Sequence, residues 1–482
     1  MIRVVAPAAP PDVAFALALL VDLSRLLPVD DGAAPVVELH VGGDGPHAPS
    51  LRDALSNGWY VRAEDGRVTV PASVLALVAA LAGAEEEQRT EARDRYDRVP
   101  SSANALVAAG AERTPVVSEA AVALREAVHR AAARRPVRLL SPWPEGRRWA
   151  AALTHDVDVV AAWPLFTGLR VTELLRRGER GQAIDVARAA LLAATSDPVS
   201  RALVEVLDVE ARHGVSSTWF FLCGTPTPRT FARGDLTFRP ESRRARRLLG
   251  DVVRSGHEVG LHGSFATLED AGAMAGQRSR LERLGGGAVG GIRQHFLRMR
   301  PGATQASMQQ AGFRYDATYG FPDRNGFRLG VADVVPAWSA PERRTLDLEL
   351  VPLTWMDRAL SKYAGVERPD AWVDDALELA ATVRAMEGLW VGLWHPNLAP
   401  ALGYPGAPAA YRRLVEALLR ERPYVAPLRT IVEWRTARRS LRVHTLSEDA
   451  RSASFVGGAP GAALTLENER GTLDRDLVVR VG

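Results

Sequence analysis

The sequence predicts an α/β protein whose largest part is built on a parallel sheet, open or closed into a barrel. Three observations predict it. From about residue 148 to 438, short apolar runs alternate with helical stretches. Several of those runs stop abruptly at Asp, His or Arg. The chain has 482 residues, 47% hydrophobic and 24% charged, enough to fill a sizeable core and too long for one compact domain. Alternation of this kind calls for parallel strands joined by helices, with sites at the carboxyl ends of the strands.

Residues 1–140 read as a small α/β accessory domain. "VVELHV" (36–41) alternates like a strand, and "YVRAEDGRVTVP" (60–71) reads as a hairpin with Asp65-Gly66 at its turn. Residues 73–82 and 118–135 read as helices, the second with Ser118 as N-cap and Pro136 as stop. The Pro- and Arg-rich stretch 134–149 reads as a linker.

Beyond it, strands are expected at "WAAALTH", "VSSTWFFL" (215–222), "EVGLH" (258–262), "GGIRQHFL" (290–297), "LELVPLTW" (348–355) and "GLWVGLWH" (388–395). Helices are expected at 167–195, 198–213, 241–255, 267–284 and 303–311. Residues 440–482 carry short β-type runs between Gly-rich turns and read as a small β appendage.

Composition excludes some functions. A net charge of +3 gives no argument for nucleic acid. Arg243, Arg244, Arg246 and Arg247 read as a solvated helix face. Lys362 is the one lysine in the chain, and Cys223 the one cysteine, so no intrachain disulfide exists. The first apolar stretch follows three prolines and is cut by Asp12 and Asp22. It reads as a strand and a helix, not a signal peptide or transmembrane segment, and a cytoplasmic location is expected.

The chemistry lies at the strand ends. "LTHDVD" (153–158) closes an apolar run with Asp156 and Asp158, which share one side of an extended chain while His155 faces the other. Two carboxylates that close repel unless a cation or a proton sits between them. "GHEVGLHGSF" (256–265) ends its strand at His262, "GIRQHFLR" (291–298) at Arg293 and His295, and "VGLWHPN" (391–397) at His395. In one parallel sheet these ends share a face. Asp and His ligands for a divalent ion, with a further His to spare, suit metal-assisted hydrolysis.

These segments resemble polysaccharide deacetylases with the NodB-homology domain. "THDVD" matches that family's first motif loosely, "GHEVGLHGSF" its histidine motif, "RQHF" its RPPY-like motif and "LWHPN" its late histidine. The resemblance spans roughly residues 148–435 and implies a distorted (β/α) barrel with fewer than eight regular units. Two positions depart from the pattern. Val157 stands where the family has its second adjacent aspartate, and Ala266 where it has its second metal histidine. The chain looks like a variant "HDVD" branch in which Asp158 and His295 take over those roles.

The resemblance implies a divalent metal, zinc for preference, held by Asp158, His262 and His295. It implies Asp156 as base, Arg293 as its ionic partner, the Phe296 backbone N–H as oxyanion donor and His395 as general acid. Tyr319, Phe321 and Trp355 either stack on a sugar ring or pack in the core. Asp316 either orients His395 or His262 or caps a turn, and Arg328 is a candidate for meeting a charged substrate group. His155 either bonds inside the core or serves as an alternative ligand, and His257 reads as structural.

The expected activity is removal of an acetyl group, amide or ester, from a saccharide or from a nucleotide- or lipid-linked sugar precursor in surface-polysaccharide metabolism. Two rivals stand beside it. One is a same-fold hydrolase of a cyclic imide or ureide, with or without metal. The other is a non-catalytic carbohydrate-binding or assembly protein, in which the acids and imidazoles would not converge.

Overall fold

The computed structural model describes residues 2–478 apart from 7–8, 30–34, 43–49, 60, 134, 162–163, 177, 193–196, 400–401, 447–452, 457–462 and 469–470. A four-stranded sheet comes first: β1 (Ile2–Val5), β2 (Val37–Gly42), β3 (Arg62–Glu64) and β4 (Arg67–Pro71), in the order β1-β2-β4-β3. The β3–β4 pair is antiparallel, as a hairpin turning at Asp65-Gly66 requires. Helices Pro11–Leu23, Ala72–Ala82 and Val116–Ala131 cover it. The last of these starts at Val116 behind Pro115, so Ser118 is not its N-cap. The Ser118 hydroxyl instead accepts from the Ala332 amide at 3.0 Å and ties the helix to the larger sheet.

The stretch 134–149 is more than a linker, because it contains β5 (Val137–Leu140). Then come β6 (Ala150–Val157), β7 (Thr218–Leu222), β8 (Glu258–Gly263), β9 (Gly291–Gln294), β10 (Tyr315–Asp316), β11 (Val335–Ser339), β12 (Arg344–Leu350), β13 (Trp355–Met356), β14 (Leu389–Leu393) and β15 (Tyr424–Val425). They form a ten-stranded sheet in the order β11-β12-β10-β9-β8-β7-β6-β14-β13, with β15 against the start of β6. Every pair is parallel except β11–β12. The sheet curls into a half-barrel, and its two ends do not pair.

Buried strands explain the apolar runs. β6, β7, β8, β9 and β14 are buried at every position, as parallel strands covered on both faces must be. Two expected strands are shorter than their apolar runs. The run at 290–297 leaves the sheet after Gln294, where His295–Leu297 makes a tight turn with positive φ at Phe296 (60°) and Leu297 (53°). The run at 348–355 divides between the end of β12 and the start of β13. On helix Arg243–Arg254, Ala245, Leu248, Leu249 and Val252 are buried, while the four arginines face solvent, one of them bridging to Asp197.

One apolar core runs from Ile2 to Leu418 and joins both sheets, with Phe15 stacked on Trp338 at 5.0 Å. The division expected near residue 140 does not interrupt it. At the C-terminal end, β16 (Arg442–Leu446) pairs with β17 (Ala453–Val456), and β18 (Ala463–Asn468) lies between β5 and β19 (Gly471–Val478). Residues 479–481, the end of the last expected β run, lie outside the described residues. Among the described residues no helix is long and apolar enough to cross a membrane.

Candidate active site

The pleat of β6 divides its polar end between two faces. His155 turns into the helix layer, where Nδ1 meets the Trp394 carbonyl at 2.9 Å and Nε2 meets Glu210 at 3.0 Å. It is completely buried and takes no part in the cleft. Asp156 turns the other way, into the half-barrel, and accepts from Arg293 Nη1 at 2.9 Å. The Arg293 guanidinium lies over the Phe220 ring at 4.5 Å and donates through Nε to the Ala317 carbonyl at 3.0 Å. Gly260 leaves room for that ring, since a Cβ there would fall 2.5 Å from it.

Asp158, just past the end of β6, is the centre of the site. Its Oδ1 lies 3.3 Å from His262 Nε2 and 3.5 Å from His295 Nε2. The two imidazole rings are 4.8 Å apart, and the three potential ligand atoms all lie within 4.8 Å of one another. The second nitrogen of each ring faces an acceptor. His262 Nδ1 is 2.9 Å from the Arg293 carbonyl, and His295 Nδ1 is 3.3 Å from Asp235 Oδ1. Those acceptors can each hold a proton on Nδ1 and leave both Nε2 atoms facing Asp158, the outer support a metal site needs.

The donors fit a cation. Asp158 Oδ1 is buried and makes no hydrogen bond, which is costly for a carboxylate oxygen without a cation. With bonds of about 2.0–2.2 Å, a tetrahedral ion requires donor–donor edges of about 3.3–3.5 Å. The two Asp158 edges meet that figure. Asp158 is also the one of the three reached by solvent, its side chain 22% exposed.

His395 stands across the cleft, with Nε2 3.8 Å from Asp158 Oδ2. Asp357 fixes it twice: Oδ1 lies 2.6 Å from Nδ1, and Oδ2 accepts from the His395 backbone N–H at 2.6 Å. Burial pushes the His395 imidazole down, but Asp357, with Asp158 and Asp156, outweighs it and raises it above its ordinary value. Burial likewise disfavours the charged form of His262, yet Asp156 and Asp158 raise it. Asp156 and Asp158 are pushed up by burial and held below the usual carboxylate range by the surrounding imidazoles and, for Asp156, by Arg293. The cleft thus sets carboxylates held low against His262 and His395 held high, the charge pattern of acid–base chemistry.

Several expected site residues go elsewhere. Asp316 accepts from the Thr318 amide and hydroxyl and from Gln305, far from a role with either histidine, so it closes a turn. Asp357 does the work that was expected of it. Tyr319, Phe321 and Trp355 are buried in the core and do not line the cleft; Trp355 stacks on Trp390 and Trp394. Arg328 is locked in a buried pair with Glu87. His257 supports Ser217 within the core, Nδ1 receiving the Ser217 amide at 3.1 Å.

The residues missed by sequence reasoning divide in two. Asp357 closes the run "LTWMD", the same signal that marks Asp156, and was legible. Asp235 follows no apolar run and was not. Neither was the contribution of the N-terminal region. Arg98 enters the cleft and donates to the Phe296 carbonyl at 3.0 Å, and Asp97 binds both Arg298 and Arg300. Tyr96 stacks on Phe296 at 4.9 Å, and Phe296 on His295 at 4.2 Å. Residues 96–98 therefore grip the turn that presents His295.

No family model matches this sequence, and no curated protein matches it. Among solved structures, a putative polysaccharide deacetylase from Mycobacterium smegmatis is 22% identical over 64% of this chain and 96% of that chain, with a TM-score of 0.42. Puue allantoinase is 15% identical over 61% and 92%, at 0.41. A family 4 carbohydrate esterase from Streptomyces lividans in complex with acetate is 12% identical over 56% and 90%, at 0.29. With TM-scores below 0.5, the case for function rests on the geometry of the cleft.

Proposed function

We propose that this chain is a divalent-cation-dependent hydrolase that removes an acyl group, acetyl in the first place, from an amide or ester on a saccharide. A single observation carries the reading: a buried carboxylate oxygen without a hydrogen bond faces two imidazole nitrogens whose partner nitrogens are tied back. Zinc suits two nitrogens and one oxygen. A cation held by Asp158, His262 and His295 would polarise the acyl oxygen and acidify a water.

The chain's own groups supply the rest. Asp156, kept ionised and aimed by Arg293, takes the proton from the attacking water. His395, kept protonated and oriented by Asp357, gives a proton to the departing amine or alkoxide. The Phe296 backbone N–H, in the positive-φ turn after β9, is the proposed donor to the developing oxyanion. In this reading the barrel of residues 148–438 carries the chemistry as a variant "HDVD" polysaccharide deacetylase, residues 1–140 brace its mouth, and 440–482 form an appendage. A non-catalytic protein with a decayed site would not need these groups to converge, and they do.

The test is elemental analysis of the full chain together with acetate release from N- and O-acetylated saccharides. About one zinc per chain and hydrolysis abolished by a chelator and restored by zinc are expected. Metal-free protein that still hydrolyses a cyclic imide would replace this reading with its rival.

A further inference from the structure

Resting on that reading, we propose that the saccharide carries an anionic group, a phosphate or a carboxylate, which binds between Arg358 and Lys362 in the same cleft. Both residues line it together with Asp158, His262, His295 and His395. Arg358 directly follows Asp357 and stands just before the short helix Ala359–Ala364, and Lys362 lies one turn on. Each is half-buried.

The two cations are unmatched. Among the described residues neither has an acid within ion-pair distance. The Arg358 hydrogen bond is to the Tyr404 hydroxyl, from Nη1 at 3.2 Å. The Lys362 ammonium sits 5.4, 5.6 and 5.5 Å from the rings of Tyr96, Phe296 and Tyr363, contacts that leave its three donors unspent. The other cations of the cleft are engaged. Arg170 binds Glu173 and the Leu402 carbonyl, and Arg98 binds Asp94, the Phe296 carbonyl and the Tyr363 hydroxyl. Asp156 pairs with Arg293 and Glu173 with Arg170, while Asp158 faces the imidazoles.

Burial pushes Arg358 down while Tyr404, Asp357 and Asp158 raise it, yet among the described residues neither it nor Lys362 makes an ion pair, which leaves room for a bound anion. Burial, then Arg358, Arg95 and Arg98, push Lys362 down to about 8, with Glu173 opposing. An incoming anion would reverse that crowding. The guanidinium offers a planar fork that matches the paired oxygens of a phosphate or carboxylate, and the ammonium adds a point charge. Lys362 is the one lysine in the chain, and it stands at the cleft. Of the rings beside it, Phe296 and Tyr363 line the cleft.

The test is calorimetric titration of the full chain with N-acetylglucosamine, N-acetylglucosamine 1-phosphate and N-acetylmuramic acid, zinc-loaded and after chelation. The anionic sugars should bind about tenfold or more tighter than the neutral one. That advantage should shrink as salt rises from roughly 0.05 to 0.5 M. It should survive zinc removal and vanish in the Arg358→Gln/Lys362→Gln double variant at unchanged zinc content. A larger gain for the phosphate or for the carboxylate tells which group the lip prefers. An advantage that disappears with the zinc belongs to the metal and overturns the proposal, as does one that persists in the double variant. Should that variant misfold by circular dichroism, an advantage insensitive to salt in the wild type is decisive against it. Selective binding without hydrolysis would sink the hydrolase reading and leave this subsite standing; hydrolysis of the neutral sugar with no selectivity would do the reverse.

Discussion

Two clusters of acid and histidine lie back to back across β6, and they differ in one respect that matters. On the helix side, His155, Glu210, Ser217, His257 and Tyr411 bond chiefly to one another: Glu210 receives the Tyr411 hydroxyl at 2.6 Å and the Ser217 hydroxyl at 2.8 Å. The cluster is sealed by Trp219 and Trp394, with His257 Nε2 as its one buried nitrogen lacking a hydrogen bond. On the barrel side, Asp156, Asp158, His262, His295 and His395 meet at a cleft, and Asp158 Oδ1, Arg293 Nη2 and Asn397 Oδ1 are buried nearby without hydrogen bonds. Both clusters set carboxylates against imidazoles. Spent hydrogen-bonding capacity makes the first a brace, and unspent capacity beside solvent makes the second a site.

That contrast can be broken most directly at the proposed metal ligands. His262→Ala should lose bound zinc and with it essentially all hydrolysis, whereas His155→Ala should keep zinc at the wild-type level; zinc analysis of both decides. Next in size is His395→Ala, expected to lower kcat about 10²–10⁴-fold with zinc retained. Arg293→Met removes the partner of a fully buried carboxylate and should cost about 3–5 kcal/mol in denaturant unfolding, besides its effect on rate. Asp235→Asn, which loosens His295, should weaken zinc about 10–100-fold in competition with a chelating dye.

The pH profiles sharpen the same contrast. A general acid works below its pKa. The basic limb of kcat/KM should therefore move to lower pH in Asp357→Asn, which removes the main raising charge on His395. The raised His395 also stabilises the fold below the unfolded histidine's pKa, and that contribution disappears as pH rises through the folded value. Zinc must displace the proton that Asp156 and Asp158 favour on His262, so its affinity should fall as pH drops through that raised range. The smallest effect belongs to the sealed cluster. His155→Ala strands Glu210 and should cost about 1–3 kcal/mol of stability, read from the midpoint in urea.

Much of the barrel side was legible because strands and chemistry coincide there. An apolar run that ends in Asp or His announces both a buried strand and a group delivered to its mouth, and this holds for Asp156, His262, His295 and His395. Asp357 carries the same signal. Pleat alternation also assigned His155 and Asp156 to opposite faces. The aromatic residues were another matter. Tyr319, Phe321 and Trp355 have the composition of a sugar platform, but nothing local tells a stacking ring from a packed one. Contacts made across the chain, such as Asp235 to His295 or Arg328 to Glu87, leave no periodic trace and became visible only in three dimensions.

The grip of residues 96–98 on the turn after β9 bears on how this protein could be inherited or dissected. A chain trimmed to begin at 148 would lose the arginine that holds the Phe296 carbonyl, the ring stacked on Phe296 and the partner of Trp338. The barrel, cut off in this way, would keep its strands but lose the outer hold on the turn that presents His295, so the two parts are expected to be inherited together.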